Sequence, residues 1–489
     1  MNKKIIVLAL LATNIVSAKE VVVINEKKLK ELMTNNVPSI EKINTVVIQS
    51  NLERTQYNQK YSTFLNGQAN YSNVEGKMFE GYQGQFDDPA RRYGISVSQN
   101  LPIGLSFDIG AYNNYAKTYN YQPNKSMNSQ YDTSLEAKIS VDLWKNLLGY
   151  TERAERAGLK INENEKLEQA KLEKTKFFNE IRKMYWRLSV NNSLTKIYEV
   201  LINQAVLQEE NIRKMYQTSV ADRGELARAS AVVNIRKSDL ASVKYEMEVI
   251  KRELSNLIPE LNDKELNFQF STYANIQNSI NACYNKIKSK KEAPLDLTSY
   301  TKLISYKDEK INENLKALKR YSDADVKLEA KASSLGFGKQ NSDSFDDMAN
   351  LDRKDYSIGL NISVPFGSSY SNTKENQMKI LKMQHNAEKR EIISNLNSFH
   401  NYFSTSLENL LKVMKDQKNY SENLLIRVKS MRQKYNQGRV SLSELIQDED
   451  SLFESQLALV NTHYNIISLM IDYFSIFNDF ECDFNLINN

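Results

Sequence analysis

Three histidines, two cysteines and a duplicated acidic turn are the residues of this 489-residue chain with the most obvious chemical potential. His385, His400 and His463 fall on long helical stretches with no acid or Cys beside them at ligand spacing. Two cysteines are too few for a Cys/His metal cluster or a disulfide scaffold. No G-x-S-x-G, Walker or Rossmann signature occurs, so neither catalysis nor a cofactor is expected. The turn is more informative. Residues 215–226 read MYQTSVADRGEL and residues 434–445 read KYNQGRVSLSEL. Tyr216 and Tyr435, Glu225 and Glu444, and Leu226 and Leu445 are each 219 positions apart. Carboxylates at matched turns act electrostatically, by attracting cations and repelling one another. A solvated helix face would carry the same acids, and so would the nearby Asp448-Glu449-Asp450 run.

The elements holding these turns are long. From Thr151 to Tyr216 the chain has one glycine, no proline and abundant Lys and Glu. A helix of about 66 residues spans about 100 Å at 1.5 Å per residue, far beyond the three or four turns of an ordinary helix. Residues 371–436 predict a second such rod. Apolar residues recur at 3 and 4: Leu396, Phe399, Phe403, Leu407, Leu410 and Met414 on one rod, and Phe453, Leu457, Val460, Tyr464, Ile467 and Ile471 on the last segment. A third stripe runs from Leu226 through Ala229 and Val233 to Leu257, interrupted only by Arg236. This spacing implies packing against neighbouring helices.

Eight of the fifteen glycines lie between Gly67 and Gly149 and four between Gly336 and Gly367. Both regions alternate apolar and polar residues, as strands do. Leu135, Ala137, Ile139, Val141 and Leu143 alternate with Ser134, Glu136, Lys138, Ser140 and Asp142; Tyr356, Ile358, Leu360 and Ile362 alternate with Ser357, Gly359 and Asn361. The pattern fits the wall of an outer-membrane barrel, and it fits equally a half-solvated sheet of a soluble sandwich. The rods decide for the barrel, because they leave no compact domain for a sandwich to join.

Residues 1–18 combine Lys3 and Lys4, an apolar run from Ile5 to Leu11, and Val16-Ser17-Ala18, the features of a cleaved export leader. Beyond it no apolar stretch is long enough for a membrane helix, so membrane insertion requires a closed β-barrel. The net charge of +5 is too balanced to suggest nucleic acid. The organisation reads as an internal duplication. A first repeat (19–260) holds an initial helix, a β-hairpin region (61–145), a rod (151–217) and a helix (222–258). A linker or equatorial segment (261–294) follows. The second repeat (295–480) holds a helix (295–320), a β-hairpin (323–366), a rod (371–436) and a helix (441–478), before a tail (481–489). Cys283 and Cys482 are expected as two unpaired thiols, with pairing the alternative. Two hairpins cannot close a barrel alone, so cyclic assembly is expected.

In this order and spacing, the chain resembles the outer-membrane efflux protein family, the TolC-type channels. The elements carrying the resemblance are Asn35-Asn36-Val37-Pro38, Gln99-Asn100-Leu101-Pro102-Ile103-Gly104, Leu147-Leu148-Gly149, Val364-Pro365-Phe366-Gly367 and Tyr435-x-x-Gly438 with Glu444-Leu445. The resemblance implies a mainly α fold with a membrane β-barrel portion: a coiled-coil α-helical barrel, and four strands per chain in a homotrimeric 12-stranded β-barrel. An extra strand pair near 93–116 would either bulge outside or extend that barrel. It also implies an outer-membrane location reaching into the periplasm, a periplasmic adaptor, an inner-membrane transporter and passive efflux of small molecules. The same architecture serves protein secretion, and rods alone would suit a structural or adhesive surface protein. By position in the family, Ser219, Val220, Gly438, Leu226 and Leu445 form adaptor-contacting turns. Glu225, Glu444, Asp448, Tyr435 and Arg439 form the periplasmic gate. Two positions depart from the family: its gate-locking Arg falls at Val440, and its second acidic ring at Gln447.

Overall fold

The structure, a computed structural model, describes residues 21–33, 37–72, 85–87, 90–120, 127–289, 292–320, 324–364, 366, 368–477 and 482. The leader, Asn35, Asn36, Pro365, Gly367 and all of the tail but Cys482 lie outside the described residues. In chain order the elements are β1 (Val21–Ile24), α1 (Glu26–Leu32), α2 (Pro38–Gln59), β2 (Phe64–Ser72), β3 (Gln85–Asp87), β4 (Ala90–Leu101), β5 (Leu105–Asn120) and β6 (Met127–Asp142). Then come α3 (Tyr150–Gln217), α4 (Arg223–Leu257), β7 (Glu265–Phe268), α5 (Tyr273–Lys288) and α6 (Ser299–Lys319). The last are β8 (Asp325–Gly338), α7 (Asn341–Ala349), β9 (Lys354–Ser363), α8 (Ser368–Asn436) and α9 (Leu442–Ile476). α3 and α8 are continuous helices of 68 and 69 residues, as their lack of proline permits. Among the described residues no helix is long and apolar enough to cross a membrane.

The chain forms two compact units, each assembled from both halves of the sequence. The first comprises residues 1–45, 170–301 and 392–489. Its core centres on α5, whose Ile276, Ile280 and Ile287 follow helical spacing and are buried with Phe403 and Leu407 of α8, Ile466 and Ile471 of α9 and Leu254 of α4. Each such side chain contributes roughly 1.5–3 kcal/mol by leaving water. β1 and β7 form a parallel pair at its edge. Arg236, the break in the α4 stripe, has its guanidinium 5.1 Å from the centre of the Phe453 ring and pairs with Asp450. The charge is therefore satisfied across the helix pair.

One expectation is overturned here. Cys283 and Cys482 are disulfide-bonded, with Cα atoms 5.6 Å apart and both side chains buried. The cysteines are 199 positions apart; packing alone makes them neighbours.

His463 stacks on Tyr273 with ring centres 4.0 Å apart, and burial pushes its imidazole down to about 4. The unfolded imidazole takes up its proton near 6.5, so between pH 6.5 and 4 the unfolded chain binds more protons than the folded one. Stability is expected to fall across that window. His463→Phe, which keeps a ring against Tyr273, should flatten the melting-temperature profile there and leave it unchanged above pH 7. An identical slope in the variant would refute the assignment.

The second unit comprises residues 46–169 and 302–391 and contains the main sheet. Its strand order is β2-β4-β5-β6-β8-β9, antiparallel throughout, with β3 attached to β5. The class of fold is as expected, mainly helical with a sheet portion, but among the described residues the sheet path holds six strands where four were expected. The extra pair does not bulge away: β4 and β5 lie inside the sheet. The expected 323–366 hairpin carries α7 between its strands. This short, polar helix lacks a long apolar stripe. It docks because Gly336 has no side chain, a Cβ there lying 2.0 Å from the Ser344 carbonyl oxygen. Ser334 Oγ donates to the Met348 carbonyl at 2.9 Å, and the Thr133 and Ser344 hydroxyls lie 2.8 Å apart.

The sheet has two distinct faces because its ladders keep all six alternations in phase. Leu65, Val97, Ile109, Ala137, Ala332 and Tyr356 lie side by side in one cross-strand row. The adjacent row, on the opposite face, is Asn66, Ser96, Gly110, Glu136, Ser333 and Asp355. Ile358 is 79% exposed, Leu65 75% and Ile95 62%. The polar face carries cross-strand ion pairs, Lys138 with Glu329 at 2.9 Å and Lys331 with Glu136 at 2.8 Å.

Candidate functional site

The candidate site lies in the first unit, where α3 turns into α4 and α8 into α9. The two turns share one geometry. Met215, near the end of α3, accepts from Val220 N at 2.8 Å, and Lys434 accepts from Arg439 N at 2.9 Å, the same bond 219 positions later. Such a bond closes a helix end when the intervening residue is left-handed. That residue is Ser219 (φ 59°) in the first turn and Gly438 (φ 70°) in the second. Glycine meets the requirement without strain; serine does so against its preference.

Each following helix starts with a capping box. Asp222 accepts from Glu225 N at 2.8 Å and Ser441 Oγ from Glu444 N at 3.3 Å, while each glutamate reaches back to its cap's own N–H. Bonds from the backbone N–H and hydroxyl of Ser441 hold the Glu444 carboxyl below its usual range. The matched acids Glu225 and Glu444 therefore complete the capping boxes that start α4 and α9. The signal was present in the sequence as Asp222-x-x-Glu225 and Ser441-x-x-Glu444.

An apolar cluster joins the turns: Ile212, Ala221, Ala229 and Leu442 are buried, with Leu226 and Tyr435 packed against them. Burial raises the Tyr435 hydroxyl, and the nearby Glu225 charge adds to the shift. Leu445 is buried, whereas Ser219, Val220, Gly438 and Arg439 are exposed. Two layers result: a solvent-facing rim of turn residues above an apolar seam.

Behind the seam the acidic run is clamped by arginines. Asp448, buried, accepts from Arg427 Nε at 2.9 Å. Glu449 accepts from Arg432 Nε at 2.8 Å, and Asp450 pairs with Arg236. Burial pushes the Glu449 carboxyl upward, partly offset by Arg432. Three arginines on α4 and α8 thus hold α9, a role that sequence reasoning missed; the Arg236 break was its one visible trace. Gln447 lines an open cleft with Arg228, Asp450 and Glu454. Among the described residues no group of three or more His, Cys, Asp or Glu side chains could hold a metal ion.

Paired long helices with matched turns, together with an antiparallel sheet that exposes an apolar face, define the fold of TolC-type outer-membrane channels. Solved structures sharing it include VceC from Vibrio cholerae (TM-score 0.67, 14% identity, 92% of this chain and 95% of that one), CusC (0.66, 14%, 92% and 91%) and the CmeC channel of Campylobacter jejuni (0.64, 12%, 94% and 88%). No protein-family model and no curated protein matches the chain.

Proposed function

We propose that this protein is the outer-membrane channel of a tripartite efflux system. Three copies enclose a passive, water-filled duct through the outer membrane and into the periplasm; an inner-membrane transporter supplies the energy, and a periplasmic adaptor docks on the turns. The observation that carries this reading is the two-faced sheet, since an exposed apolar face of this extent is tolerated in lipid and costly in water. The shared fold supports it, because VceC, CusC and CmeC are described as outer-membrane or transmembrane-channel proteins. Ser219, Val220 and Gly438 form the adaptor-facing rim, and Leu226 and Leu445 brace it. Tyr435, Asp448 and Arg439, with Glu225 and Glu444, form the closed mouth.

Purified from outer membranes in detergent, the protein should be a trimer and give discrete single-channel currents in planar bilayers. A monomer soluble without detergent would end this reading. The role of the two glutamates is testable separately. Gln preserves a capping box while removing the charge, so Glu225→Gln with Glu444→Gln should weaken cation preference without lowering the melting temperature. Unchanged ion preference would leave these acids as helix caps only.

A further inference from the structure

We infer that each copy contributes six strands to the barrel wall and that β2 of one copy pairs with β9 of the next, so three copies close an 18-stranded barrel. The inference rests on the channel reading above and specifies the partner of its sheet edges, a second copy of this chain. Three features of the β4–β5 pair support it. First, the pair is fully laddered: β4 runs register with β2 from Ser72↔Ala90 to Phe64↔Ser98 and with β5 from Arg91↔Tyr115 to Leu101↔Leu105. Second, its alternation is in phase with its neighbours, and a one-residue slip would reverse every side chain. A pair outside the wall would not need Ile95, Val97 and Ile109 on the apolar face and Ser96 on the polar one.

Third, the turn at the lower end of the pair is fitted to the junction between β6 and α3. Gly104 (φ 74°) and Gly149 (φ 73°) let the two backbones touch: a Cβ on Gly104 would lie 2.3 Å from the Asn146 carbonyl oxygen, and one on Gly149 2.1 Å from that of Pro102. Asp142 N also donates to the Gly104 carbonyl at 2.8 Å. The extra hairpin therefore ends at the level where the last strand of the first half gives way to its rod.

The edges suit a second copy. Among the described residues β2 and β9 are the two ends of the strand path, and they run in opposite directions along it, since every step is antiparallel. Edge to edge between copies they continue the same alternation, and eighteen is an even number, as closed antiparallel pairing requires. Barrel diameter grows roughly linearly with strand number, so this wall is about half again as wide as a 12-stranded one.

The test uses the full-length protein in nanodiscs containing nitroxide-labelled lipid, with bimane on single cysteines. The native cysteines are disulfide-bonded and take no label. Ile358→Cys on β9 is the reference. Ile95→Cys and Ile109→Cys are expected to lose fluorescence to the same extent as the reference, while Ser98→Cys, on the opposite face of β4, reacts with a charged maleimide from water. Quenching at 358 without quenching at 95 and 109 overturns the six-strand wall while sparing the channel. An unreactive Ser98→Cys beside quenched neighbours also overturns it, since the pair would then pack outside the wall. No quenching at 358 overturns the membrane reading itself.

Discussion

Reduction of the Cys283–Cys482 bond, or its replacement by paired serines, is expected to lower the stability of the first compact unit by about 4 kcal/mol. The bond joins residues 199 apart, and a cross-link over so long a loop removes much of the freedom of the unfolded chain. Cys283 lies on the buried face of α5 with Ile280 and Ile287, so the bond ties the chain beyond α9 to the middle of the core. The serine pair should melt several degrees lower than the oxidised protein. Reductant should bring the native protein to nearly the same value and leave the variant where it is. A melting temperature unaffected by reductant would show that packing alone holds the chain end.

Arg182→Met should cost roughly 3–5 kcal/mol, the range for removing one member of a buried ion pair. Arg182 is fully buried on α3, its Nε donates to Glu26 Oε1 and its Nη1 to Asn179 Oδ1 at 3.1 Å. Glu26 opens α1 and is itself buried, so the substitution removes the positive charge facing its carboxylate. Pairing Arg182→Met with Glu26→Leu should recover much of the loss, because two apolar groups bury without an uncompensated charge. Urea denaturation of the two single variants and the double variant gives the coupling directly. Strictly additive losses would mean the two groups do not act as a pair.

The rods and strands were legible because each rests on a local period. Leu396, Phe403, Leu407 and Met414 recur at helical spacing and are buried; Leu135, Ala137 and Ile139 alternate and share one face. The 219-residue repeat extended this to the turns, since matched residues impose matched hydrogen bonds at Ser219 and Gly438. Glu225 and Glu444 were legible as a pair, but their geometry gives them a capping function before any electrostatic one. Legibility failed where partners are distant in sequence. Nothing local marks Arg427 and Arg432 as partners of the α9 acids, Arg236 shows only as a break in a stripe, and each cysteine reads as a lone thiol.

The strand count shows the same division. That residues near 93–116 hold a strand pair was legible from alternation, but alternation gives a strand two faces and no neighbours. Which strands pair is a matter of hydrogen bonds between chain segments far apart, such as β6 with β8. The sequence by itself determined the helices, the strands, the matched turns and the class of fold, because helix period, strand period and the placement of Gly and Pro act within a few residues. Only the tertiary structure decided the disulfide, the arginine clamp and the place of β4 and β5 in the sheet, because each depends on contacts that form when distant segments pack.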